Sequence, residues 1–83
     1  MLRPRNPLTR IRLAAGFPRA ADAATAVDCS YIHLINVERG HVNPSEALVL
    51  RMARAFKVSE KRVRAAVRAA QRAMLKRKLQ AVA

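Results

Sequence analysis

The sequence predicts an all-α fold of five helices, the last one extended, around a single small core. Three observations carry that expectation. Helix start and stop signals (Asn-Pro pairs, serines and glycines) recur at helix-length intervals, with apolar residues between them at helical spacing and no segment alternating with period two. Hydrophobic residues make up 52% of the chain but aromatics only 4%, and much of the remainder is alanine, which suits helices in close approach better than a sheet. At 83 residues the chain can bury one modest core and no more.

Residues 1–5 read as a short basic arm ahead of a domain spanning 6–74. Asn6-Pro7 pairs an N-cap residue with a proline at the first helical position. The first helix should run to about Ala15, with Leu8, Ile11 and Ala15 on one face, and Gly16 stops it. A turn at Phe17-Pro18 leads to an alanine-rich second helix over about 20–27, whose start at Arg19 lacks a side-chain acceptor. Asp28-Cys29 is a tight link to a third helix, capped by Ser30 and ended by Gly40. On that helix Leu34, Val37 and Glu38 share one side, suited to a core. Ile32, Asn36 and Arg39 share the other, presented outward.

The second Asn-Pro pair, Asn43-Pro44, is expected to open the fourth helix, with Glu46 at N3 as in a capping box. Leu48, Met52, Ala53 and Phe56 form its core side. Ser59 should cap a fifth helix running to about residue 80, with Val63, Ala66, Val67, Ala70 and Met74 inward. Lys61, Arg64, Arg68, Arg72 and Lys76 form a basic stripe on the opposite face, either solvated or facing phosphate. From residue 75 to 83 the pattern changes. Leu75, Leu79 and Val82 make an apolar row turned away from the core, either a dimerisation seam or a frayed end.

A formal charge of +12 and a pI near 11.8 call for a polyanionic partner, nucleic acid first and an anionic membrane surface second. The single cysteine, Cys29, can build neither an internal disulfide nor a thiolate zinc site, and suits a reducing, cytoplasmic setting. His33 and His41, the only histidines, have no neighbours in sequence that would complete a metal set. No nucleophile-base ordering, paired carboxylates or glycine-rich phosphate loop is present, so the expectation is a non-enzyme with no metal, cofactor or small-molecule ligand. No run of about 18 apolar residues could span a membrane.

Four fragments in register carry a family resemblance: Arg-Leu-Ala-Ala-Gly-Phe at 12–17, Val-Glu-Arg-Gly at 37–40, Asn-Pro-Ser at 43–45, and Arg-Met-Ala-Arg-Ala-Phe-Lys-Val-Ser at 51–59. Over residues 7–66 the chain resembles the Cro/phage-repressor type helix-turn-helix family, also called XRE-like, whose fold is lambda-repressor-like. The resemblance implies a transcriptional regulator that binds double-stranded DNA as a homodimer with its third helix in the major groove. It also implies an ion pair between Arg12 and Glu38. By position, Tyr31, Ile32 and Asn36 would meet bases, and Arg19, His33, Ile35, Arg39, His41 and Asn43 would flank them or touch phosphate.

Asn36 has the clearest base-reading chemistry, a bidentate match to adenine. The chain departs from the family at Ala20, where glutamine is common, and in the apolar Ile32 and Ile35. Those departures keep two alternatives open. One is an interaction module, such as an antitoxin or phage accessory factor, that turns Tyr31, Ile32 and Ile35 toward a protein. The other is a charge-driven, nonspecific nucleic-acid binder.

Overall fold

A computed structural model describes residues 6–82, Val82 through its backbone alone. The expected basic arm over 1–5 and the Val82 side chain of the apolar row lie outside the described residues. Five helices follow in order: α1 (Pro7–Ala14), α2 (Ala20–Ala26), α3 (Tyr31–Glu38), α4 (Glu46–Phe56) and α5 (Glu60–Val82). No strand occurs among the described residues. The first two helices end one residue earlier than their apolar spacing suggested.

The core is assembled from the inward rows of all five helices. Leu8, Val27, Leu34, Val37, Leu48, Met52 and Val63 are its largest fully buried side chains. Helix α5 is the backbone of the assembly, packing on α1, α4 and α3, while α2 packs chiefly on α3. The α2–α3 approach is close because Ala23 and Ala24, both buried, are the residues α2 offers to the core. Phe17 and Phe56 meet edge to face, with ring centroids 5.8 Å apart, and close the end of the core where α1 leaves.

Helices α1 to α4 all terminate on the same pair of backbone bonds. One amide reaches back five residues and its predecessor reaches back three, which satisfies carbonyls that the helix leaves open. In α1 these are Phe17 N–H to the Arg12 carbonyl and Gly16 N–H to that of Leu13; in α3, His41 N–H to Asn36 and Gly40 N–H to Val37. The closure requires a positive φ at one residue. Glycine supplies it after α1 and α3, but Asp28 (φ 56°) and Lys57 (φ 56°) supply it after α2 and α4. A side chain in that conformation costs roughly 1–2 kcal/mol relative to glycine.

The helix starts correct the sequence expectation in two places. Ser30 and Ser59 cap α3 and α5 through hydroxyls that accept from His33 N–H and Arg62 N–H, both at 3.1 Å. Asn6 occupies the N-cap of α1 without a side-chain bond to the helix. Helix α4 is capped by Ser45, whose hydroxyl accepts from Leu48 N–H at 3.1 Å, and Glu46 is its first residue. Asn43 and Glu46 therefore do not form the expected capping box. The Asn43 carboxamide oxygen instead accepts from Gln71 on α5, and the Glu46 carboxylate pairs with Arg64.

Candidate nucleic-acid interface

Helix α3 is held from behind and left open in front. Its rear side chains Leu34, Val37 and Glu38 are buried, and Glu38 is the one acid in the core. A buried carboxylate must have its charge and its lone pairs answered. Arg12 Nε donates to Glu38 Oε2 at 3.1 Å and Thr9 Oγ1 donates to Oε1 at 2.6 Å. Arg12 Nη1 also donates to the carbonyls of Phe17 (2.7 Å) and Pro18 (3.1 Å). One guanidinium thus ties α1, the α1–α2 turn and α3 together. No buried side-chain nitrogen or oxygen is left unsatisfied among the described residues.

Two further contacts fix the ends of α3. At its entry, Arg51 of α4 donates through Nε to the Val27 carbonyl at 2.7 Å, anchoring the end of α2 just before the link. Sequence spacing offers no signal for that bond, because its partners are far apart in the chain. At its exit, Gly40 lies so close to α5 that a Cβ placed there would sit 2.5 Å from the Ala70 carbonyl oxygen. Glycine here answers two requirements, the positive φ of 81° and the close approach of two backbones.

In front, Tyr31 (53% exposed) and Ile32 (70%) project from the first turn of α3, with His33 exposed beside them. Asn36 and Ile35 are half-buried, and Arg39 is exposed at the exit. Arg19 is exposed at the start of α2 and pairs with Asp22 at 3.1 Å on the surface. His41 and Asn43 are exposed in the loop that leaves α3, with Asn43 engaged by Gln71. The α5 stripe is interrupted. Lys61, Arg68, Arg72 and Lys76 are exposed, but Arg64 is drawn against the protein by Glu46 and Glu60.

Cys29 is partly buried at the foot of α3. Desolvation raises its thiol above the usual range, against an opposing pull from the Arg51 charge, so it is not primed as a nucleophile. No cluster of three or more histidine, cysteine, aspartate or glutamate side chains able to hold a metal ion occurs among the described residues. No described helix is long and apolar enough to cross a membrane.

Two cations missed from the sequence complete the surface. Arg77 and Lys78 lie along the α5 face that carries Ala70 and Met74, and with Arg39 and His41 they line an open cleft of about 620 Å³. The available signal was the helical row 70, 74, 77, 78, 81, which begins apolar and turns basic. No family model, curated protein or solved structure matches the chain.

Proposed function

We propose that this protein is a sequence-specific DNA-binding regulator in which α2 and α3 act as a helix-turn-helix and α3 enters the major groove. The observation that carries the reading is the division of α3. One face is locked through Leu34, Val37 and the Arg12–Glu38 pair, while the other offers Tyr31, Ile32 and Asn36 from a chain of charge +12. Eight helical residues span roughly 12 Å, about the width of the major groove. Asn36 would read adenine, Ile32 would pack on a thymine methyl, and Arg39 would reach the backbone at the groove edge.

Selection from a random duplex library tests the reading. The wild type should enrich one sequence, and Asn36→Ala should lose roughly 1–3 kcal/mol of discrimination at a single base pair while the other positions keep theirs. Enrichment of nothing, or an unchanged preference in the variant, would remove α3 from the groove.

The regulator would act as a homodimer across half-sites about 10 bp apart. The exposed Leu75 (56%) and Leu79 (64%), one turn apart on α5, support a seam between copies. Sedimentation at micromolar concentration should show a dimer that Leu75→Ala/Leu79→Ala dissociates; a wild-type monomer would refute the seam. A second reading, a protein partner on the same face of α3, is favoured by the exposure of Ile32. It predicts that Ile32→Ala abolishes capture of that partner and leaves DNA affinity intact.

A further inference from the structure

We infer that the cleft between the exit of α3 and the far end of α5 is a seat for the DNA phosphodiester backbone, built from Arg39, His41, Arg77 and Lys78. The inference rests on the proposed function, which brings a duplex to the front of α3, and extends it to a helix outside the helix-turn-helix. The cleft of about 620 Å³ is lined by these four residues with Asn6, Met74 and Ala81, and no acid lines it. All four basic side chains are exposed. Four of the five acids are paired elsewhere, Glu38 with Arg12, Asp22 with Arg19, and Glu46 and Glu60 with Arg64, and the fifth, Asp28, is in the turn between α2 and α3.

Position along α5 makes this more than a solvated helix end. Val63, Ala66, Val67 and Ala70 face the core, and continuing that row leads through Met74 to Arg77 and Lys78. The row leaves the core at the half-buried Met74, and beyond it any polar residue would serve, acid or base. Here both residues are cations, and two turns beyond the Gly40–Ala70 approach they line the cleft with Arg39 and His41. Both walls are fixed relative to each other by the Gly40–Ala70 approach and by the Asn43–Gln71 hydrogen bond. With α3 across the groove, its exit lies at the groove edge, where the phosphates run. Contacts of this kind add affinity and register but carry no base preference.

The test compares three full-length proteins by fluorescence anisotropy on the selected duplex and on a random one, from 50 to 200 mM salt. They are the wild type, Arg77→Ala/Lys78→Ala, and a charge-matched control, Arg54→Ala/Arg62→Ala. Arg62 is fifteen residues up α5 from Arg77, about 22 Å away. Alanine favours helix at all four positions, and far-UV circular dichroism verifies the fold.

Each phosphate contact adds about 0.9 to the salt slope, so two contacts should make the wild type lose affinity about twelvefold more than the cleft variant over this salt range. The deficit should be equal on both duplexes, and the control should stay close to wild type. A cleft variant that matches the control overturns the seat and leaves the helix-turn-helix reading standing. A wild type that binds no duplex overturns both. Loss of polyglutamate binding by the cleft variant, with duplex binding unchanged, would instead assign the cleft to an acidic protein.

Discussion

Replacing Gly40 with alanine tests the joint on which the whole presentation of α3 depends. Two costs add there. The first is conformational, since a residue with a Cβ held at φ +81° loses roughly 1–2 kcal/mol relative to glycine. The second is steric. The new Cβ would lie 2.5 Å from the Ala70 oxygen, 2.7 Å from its carbonyl carbon and 2.9 Å from Gln71 Cα. All three are backbone atoms of a helix interior and cannot swing aside, so α3 and α5 must separate, at a cost of roughly 1–3 kcal/mol.

The sum, about 2–5 kcal/mol, is a large fraction of the roughly 4–12 kcal/mol expected for a chain of 83 residues. Gly16 provides the internal control, because its φ is +92° but nothing lies within 4 Å of its Cβ position. Gly16→Ala should therefore cost only the conformational part. Urea unfolding followed by far-UV ellipticity measures both variants against wild type. A Gly40→Ala loss no greater than that of Gly16→Ala would refute the close approach of α3 and α5.

Two further substitutions probe the other anchors. Arg12→Ala should cost roughly 3–5 kcal/mol, because it strands a buried carboxylate and also removes the donor to the Phe17 and Pro18 carbonyls. Arg12→Lys should recover little of this, since one ammonium cannot reproduce the guanidinium's spread of donors; urea midpoints decide both. Ser45→Ala should lose roughly 0.5–2 kcal/mol as a helix cap, and more than Asn43→Ala, whose side chain makes only an exposed bond to Gln71; the reverse order would restore Asn43 as the cap.

The helices were legible wherever a local signal acted alone. Ser30 and Ser59 cap the helices they precede, and Gly16 and Gly40 close the ones they follow. Around α4 two signals of the same kind competed. Asn43 and Ser45 can each accept an amide hydrogen bond, and distant partners on α5 decided between them. Gln71 engages Asn43, Arg64 engages Glu46, and the serine is left to cap. The closures of α2 and α4 carry no glycine signal, because an aspartate and a lysine take the conformation usually left to glycine; α2 ends one residue early, while α4 ends at Phe56, the last residue of its apolar row. In the site, the two faces of α3 followed from helical period alone. Arg51 on the Val27 carbonyl did not, because it joins residues that only the fold brings together.

The placement of the five acids shows how a chain of charge +12 folds without neutralising itself. Asp22, Glu46 and Glu60 each lie in the first turn of a helix, where a carboxylate complements the positive end of the dipole. Asp28 makes the left-handed turn between α2 and α3, and Glu38 is the core counter-ion for Arg12. Every acid thus has a task in the fold. None lines the cleft beside α3, and none is on the outward face of that helix. Under the proposed function, a polyanion would meet a surface whose acids lie at helix starts, in the α2–α3 turn or in the interior. The self-repulsion of so basic a chain is a stability cost, which bound phosphate would relieve. Duplex DNA should accordingly stabilise the fold against urea at low salt, and the gain should shrink as salt rises. In the cleft variant Arg77→Ala/Lys78→Ala the same gain should be smaller from the outset.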